Sequence, residues 1–217
     1  MKCKGALTHD SMKEVQNYYH VPDNRIDIVS CGWEHMNTTT EDDSILNRLE
    51  LNDGCEFFFS LGSKYKHKNF RWILESARYN PKYKFVITGT GAFSNNENEL
   101  KMVVPKNVIF TGYITNEEIK SLMIHCKALI QPSLYEGFGL PPLEALSVGA
   151  SIVVSNKSCL PEIYKGVAHY IDPYNYNVDL DKLMDESVDN PKIVLDEYTW
   201  ERAAAQLLNV LYKEGNR

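Results

Sequence analysis

The string Glu136-Gly137-Phe138-Gly139-Leu140-Pro141-Pro142-Leu143-Glu144-Ala145 (EGFGLPPLEA) follows the apolar run Ala128-Leu129-Ile130 and leads into a helix-forming segment at 143–148. That order predicts a strand, a glycine-rich loop and a helix N-terminus. Such a junction presents unpaired backbone N–H groups and the positive end of a helix dipole, which suits a phosphate or diphosphate. Gly137 and Gly139 let the backbone approach a ligand closely, and Pro141 and Pro142 suit a first helical turn, where a missing N–H costs little. Glu136 and Glu144 stand eight residues apart and bracket the loop. With Glu136 at the strand end and Glu144 a turn into the helix, both face one crevice. A phosphate repels carboxylates, so their expected partners are sugar hydroxyls.

The flanking sequence repeats the strand–loop–helix order. Residues 55–61 (CEFFFSL) form a continuous apolar run of strand length, as expected for a strand buried on both faces. The loop Gly62-Ser63-Lys64-Tyr65-Lys66-His67-Lys68-Asn69 follows, then a helical pattern over 70–79. Lysines beside a helix N-terminus repel its dipole, so the cluster is unfavourable there unless an anion is bound. Strand 84–88 runs into Gly89-Thr90-Gly91, where no third glycine and no acidic residue complete a dinucleotide fingerprint. This turn is read as a close-approach loop. A helix is expected over 95–102 and a strand over 108–110, ending at Thr111-Gly112-Tyr113-Ile114. Thr115 caps the next helix, whose apolar side is Ile119, Leu122 and Met123.

Further out, 151–154 and 168–173 read as a strand and a short strand with a turn. Asp179-Leu180-Asp181 has the D-x-D form of some metal sites, but it opens a helix expected to reach about residue 188 and is read as a cap. A terminal helix opens at Tyr198-Thr199-Trp200-Glu201-Arg202, with Ala203, Leu207, Val210 and Leu211 expected to face inward. At the other end, 7–11 read as a loop and N-cap, 12–19 as a helix, 21–24 as a turn and 25–29 as a strand. Residues 33–53, with the polar run at 38–43, read as a solvated connection. Short apolar runs alternating with helices predict an α/β fold with one doubly wound, Rossmann-like parallel sheet. Ligands of such sheets lie beyond the carboxyl ends of the strands. The loops at 62–69, 89–94, 111–115 and 136–144 all follow strands, so all four are expected on one edge.

Composition narrows the classes. The 217 residues allow one good-sized domain with an appended piece, and 43% hydrophobic with 24% charged residues is ordinary for a globular chain. A net charge of −6 advertises no broad basic face for nucleic acid or anionic lipid. Cys3, Cys31, Cys55, Cys126 and Cys159 are scattered without a C-x-x-C pair, which argues for reduced thiols in a cytoplasmic setting and against a zinc site. No apolar run is long enough to span a membrane and no signal-peptide core follows the N-terminus, so a soluble, intracellular chain is expected.

The whole string at 136–145 resembles the donor-site signature of retaining glycosyltransferases of the GT-B class, in particular the family-four group that uses nucleotide sugars. The resemblance implies that Glu144 binds the ribose hydroxyls and Glu136 holds the transferred sugar. The backbone N–H groups of Gly137, Phe138, Gly139 and Leu140, together with Lys68, would neutralise the diphosphate. Gly62 and Lys68 match the family's Gly-Arg and lysine pattern in the lysine-rich loop. Ser63 stands where the arginine is usual, with Lys64 or Lys66 as substitutes. Gly89 and Gly91 resemble the family's glycine turn near the nucleotide. Tyr113 and Ile114 are candidate base contacts, with core packing as the alternative. Glu162 is read as a structural or capping carboxylate, Trp200 as a packing anchor, and His169 as no metal ligand. No metal and no cofactor is implied; the nucleotide sugar is substrate.

In that architecture the donor domain is preceded by an acceptor-binding domain. Residues 1–30 are accordingly read as a remnant of that domain, 31–195 as the donor domain, and 196–217 as a helix that packs back on the absent half. Three functions follow: a retaining hexosyltransferase; a non-catalytic binding half that pairs with a partner subunit supplying the acceptor domain, through which alone the membrane would be met; and a sugar-nucleotide epimerase on the same scaffold. The acid and base groups an epimerase needs cannot be placed. Cell-surface polysaccharide is the pathway the family suggests.

Overall fold

The computed structural model describes residues 4–22, 25–62, 65–89 and 103–215. Two short strands, β1 (Lys4–Ala6) and β2 (Ile26–Ile28), pair in parallel and are joined by helix α1 (His9–Tyr19). A 3₁₀ turn (Glu34–Asn37) and α2 (Ser44–Arg48) lead to the main sheet. Its strands are β3 (Phe57–Leu61), β4 (Lys84–Thr88), β5 (Val108–Gly112), β6 (Ala128–Gln131), β7 (Ser151–Ser155) and β8 (His169–Ile171). The helices are α3 (Phe70–Tyr79), α4 (Asn116–His125), α5 (Leu140–Ser147), α6 (Leu160–Tyr164), α7 (Leu180–Met184), α8 (Lys192–Glu197) and α9 (Trp200–Gly215).

All six strands of the main sheet run parallel in the order β5-β4-β3-β6-β7-β8. The order turns back between β3 and β6, and the crevice at that switch point is where doubly wound sheets hold ligands. Because the strands are parallel, the chain leaves β3, β4, β5 and β6 at one edge, as the sequence predicts.

Side chains alternate across the sheet. Phe57 and Phe59 of β3 join Leu129, Ile152 and Val154 in a core under α4 and α5, whereas Phe58 joins Ile130 and Val153 in a second core under α3. The FFF run is thus needed on both faces. Phe58 meets Tyr83 edge-on, with ring centroids 5.0 Å apart.

Several expectations are corrected. The segment 33–53 is not simply a solvated connection: Met36, Ile45, Leu46 and Leu51 are buried in the first core, while polar residues between and after them face water. Helix α1 begins at His9 and not Met12, because Thr8 and Ser11 form a reciprocal capping box. Helix α5 begins at Leu140, with both prolines in its first turn. Helix α7 stops at Met184, and α8 forms separately after Pro191. Among the described side chains of α9 only Ala203 is buried, whereas Leu207 and Leu211 are 48% and 58% exposed. The body reaches this helix through its first turn and through Gln206, whose side chain accepts from the N–H of Ser30 at 2.9 Å. The helix expected over 95–102 lies outside the described residues.

Candidate active site at the strand switch point

The loops after β3 and β6 are joined across the switch point. The N–H of Leu134 donates to the carbonyl of His67 at 2.7 Å, and the Asn69 amide donates to the carbonyls of Pro132 (3.1 Å) and Pro173 (2.9 Å). This brings Lys68, from the short turn before α3, to Glu136. Lys68 Nζ lies 2.8 and 3.0 Å from the two Glu136 oxygens. Gln131, the last residue of β6, donates from Nε2 to Glu136 Oε1 at 2.9 Å. Glu136 is 8% exposed, so the carboxylate is held by one cation and one amide in a mostly dry place. Two buried acceptors stand beside them: Gln131 Oε1 and the Ser133 hydroxyl have no partner among the described residues.

The glycine loop is shaped from behind. Gly139 has φ +83°, a left-handed conformation, and a Cβ there would come within 2.6 Å of Leu160 Cδ2. The Tyr164 hydroxyl donates to the Gly139 carbonyl, and the Cys159 thiol donates to that of Glu136 (3.2 Å). Burial, reinforced by the charges of Asp10 and Glu136, pushes the Cys159 thiol up to about 12. Burial likewise holds the Tyr164 phenol well above its usual value. Both groups therefore remain hydrogen-bond donors. The Ser158 hydroxyl accepts from the N–H of Glu136 (3.3 Å), and it lies 2.8 Å from Asp10 Oδ2 and 2.9 Å from the Glu136 carbonyl. No side chain caps the N-terminus of α5, and since Pro141 and Pro142 carry no N–H and Leu143 is bonded to Tyr164, Leu140 is the first-turn residue whose N–H can face another partner.

Helix α1 seals the far side of this loop. Thr8 Oγ1 donates to the Gly137 carbonyl at 3.2 Å. Glu162 accepts from the backbone N–H groups of His9 (2.8 Å) and Asp10 (3.1 Å), capping α1 rather than its own helix. Burial opposes ionisation of Glu162, but these bonds and the His9 ring outweigh it and hold the carboxyl below its usual value. Asp179 caps α7 by accepting from the N–H of Lys182, as read from the sequence.

Glu144 lies in the second turn of α5. Its Oε1 is 2.9 Å from His35 Nε2, and His35 Nδ1 is 3.1 Å from the indole nitrogen of Trp200. Gly62 and Gly89 directly follow β3 and β4, and their N–H groups donate to the carbonyls of Thr88 and Gly112 respectively, each at the neighbouring strand's end. Tyr113 is 87% exposed, whereas Ile114 is buried and packs in the first core. The Phe138 ring is also buried, edge-on to Tyr198, so only its backbone borders the loop's outer face. Ser63, Lys64 and Gly91 lie outside the described residues. Sequence reasoning missed Gln131, Ser158, His35 and the sealing role of α1. Gln131 carried a readable signal, a polar residue closing a buried apolar strand.

Among the described residues no three His, Cys, Asp or Glu side chains converge as a metal site, and no helix is long and apolar enough to cross a membrane. A helix N-terminus without a side-chain cap, a lysine and a buried carboxylate thus gather at the switch point of a parallel α/β sheet. The chain belongs to the family glycosyl transferases group 1, whose profile matches residues 41–213. Its fold is that of the C-terminal half of a GT-B glycosyltransferase. It is 26% identical over 233 residues to an uncharacterized glycosyltransferase of Methanocaldococcus jannaschii, covering 96% of this chain and 59% of that protein. It is 27% identical over 198 residues to the serotype-specific mannosyltransferase WbdA of Escherichia coli, covering 84% of this chain and 24% of WbdA. Among solved structures, Anabaena HepE in complex with UDP matches with a TM-score of 0.78 at 15% identity, over 98% of this chain and 64% of that one. The chain thus spans under two thirds of the length of each of these proteins.

Proposed function

We propose that this crevice is the donor site of a retaining glycosyltransferase that moves a hexose from a nucleoside diphosphate sugar to an acceptor hydroxyl. The Lys68–Glu136 pair carries the reading, set at the switch point beside the open N-terminus of α5. A lysine and a helix N-terminus together suit a diphosphate. A buried carboxylate with a fixed amide partner suits sugar hydroxyls. When donor binds, Lys68 turns to the diphosphate, Glu136 exchanges the ammonium for sugar hydroxyls, and Gln131 keeps hold of Glu136. Glu144 accepts from the ribose. As the bond from the anomeric carbon to the diphosphate breaks, charge grows on the leaving oxygen, and Lys68 with the N–H groups of residues 137–140 stabilises it. These cationic and dipolar groups serve where other enzymes use a divalent ion.

The hexose is supported by the mannosyltransferase name of one relative. The acceptor is held by a facing domain, in the same chain or a partner subunit, and the greater length of the relatives supports this. The test is calorimetric titration of the purified chain with UDP, GDP and ADP and their hexose conjugates. One nucleotide should bind, and Lys68→Ala and Glu144→Ala should each weaken it about tenfold or more. Failure of all three to bind overturns the proposal.

A further inference from the structure

Glu144 does not stand alone on α5. Its Oε1 meets His35 Nε2 at 2.9 Å, and His35 Nδ1 meets Trp200 Nε1 at 3.1 Å. An indole nitrogen can only donate, so Nδ1 is the acceptor; the ring proton then sits on Nε2 and points at the carboxylate. The relay runs in one direction, from Trp200 through His35 to Glu144. Its base is rigid. Glu34 accepts from the N–H of Trp200 with both oxygens (3.0 and 2.9 Å) and from the N–H of Trp33 at 3.0 Å, capping α9. Gly32 permits this contact, because a Cβ there would sit 2.1 Å from Trp200 N. Residues 32–35 and the first turn of α9 therefore form one fitted joint, and His35 projects from it to Glu144.

We infer that His35 is a positioning residue for the donor site, clamped by the Trp200 indole so that it holds the Glu144 carboxylate ready for the ribose hydroxyls of a nucleoside diphosphate. The inference rests on the donor-site reading above. With Oε1 fixed by the imidazole, Oε2 is set for a ligand hydroxyl. The carboxylate then need not be ordered on binding, a cost that flexible side chains ordinarily impose. The relay ends at Glu144, the group assigned to the ribose, so its loss should show on the ribose alone.

The experiment compares UDP, GDP and ADP with their 2′- and 3′-deoxy counterparts, by calorimetry, on the purified chain and its variants. For the nucleotide that binds, the parent should prefer the ribose form about tenfold, the size expected for one hydrogen bond to a charged group. Glu144→Ala should abolish that preference. His35→Ala should abolish most of it and leave the affinity for the less favoured deoxy form unchanged, which also shows that the variant is folded. His35→Gln, whose amide can still donate to Glu144, should restore it to within about threefold. Trp200→Phe should lower the preference with the same indifference to the deoxy form. If Glu144→Ala loses the preference while His35→Ala and Trp200→Phe keep it, the relay is overturned and the donor-site reading stands. If Glu144→Ala also keeps it, or no nucleotide binds the parent, both are overturned.

Discussion

Lys68 and Glu136 are 68 residues apart in sequence and share a bidentate ion pair, Nζ to Oε1 2.8 Å and to Oε2 3.0 Å, across the line where the strand order reverses. Their side chains are only 20% and 10% exposed. Removing one partner leaves a shielded charge behind, whereas removing both leaves none. Lys68→Ala should therefore destabilise the fold by about 2–3 kcal/mol. Lys68→Met with Glu136→Gln should recover at least half of that, as read by urea unfolding of the single and double variants. Glu136→Gln alone should lower sugar transfer about 100-fold if the proposed role holds. Transfer at the parental rate would remove Glu136 from the chemistry.

The two loop glycines should respond differently to alanine. At Gly139 the backbone is left-handed and the new methyl would press on the buried Leu160 at 2.6 Å, so Gly139→Ala should cost about 2–4 kcal/mol. At Gly137 the nearest neighbour of such a methyl is Leu7 at 3.7 Å, ordinary contact, and Gly137→Ala should change stability by less than about 1 kcal/mol. Thermal melts of the two variants decide it. Equal midpoints would contradict the described loop.

Glu162 makes the docking of α1 sensitive to acid. Its carboxyl sits below its ordinary value in the folded chain, where burial is outweighed by the N–H groups of His9 and Asp10 and by the His9 ring. A depressed folded value means the unfolded chain binds the proton more readily. The stabilisation is then complete above the unfolded value, about 4.3, and fades as pH falls through the lower folded one. Stability of the parent should drop more steeply than that of Glu162→Gln below about pH 5. Parallel acid limbs in urea titrations would show that the cap contributes nothing.

Thiol chemistry offers a direct probe of the loop. Cys55 is exposed, whereas burial pushes Cys126 and Cys159 up to about 12. Iodoacetamide at about pH 8 should alkylate the peptide containing Cys55 in the native chain, and reach Cys126 and Cys159 only after denaturation, because the thiolate is the reactive form. Native labelling of Cys159 would mean that the loop at 136–139 opens.

The sheet was legible because a run such as Phe57-Phe58-Phe59, buried on alternate sides of one strand, has no other comfortable place. Lys68 and Glu136 were legible separately, each from its own strand–loop–helix junction. Their embrace was not, since it depends on β3 lying beside β6, a pairing between distant segments that local pattern does not encode. Met36, Ile45, Leu46 and Leu51 were hidden by the polar stretch they flank, and His35 went with them. For α9 the periodicity identifies an apolar face and says nothing of what that face meets, which is why Leu207 and Leu211 were wrongly turned inward.

The joint between Gly32, Glu34 and Trp200 also sets an order of events in synthesis. Its hydrogen bonds span 166 residues, so they cannot form until the start of α9 has left the ribosome. At roughly 5–20 residues per second, the nascent chain spends about 1.5–6 s with its sheet available for folding between Ile171 and Trp200. Through that interval Glu144 has no clamped imidazole beside it. The start of α9 thus completes a joint whose other parts were translated long before, which ties the clamped His35–Glu144 contact to a chain read through to that helix.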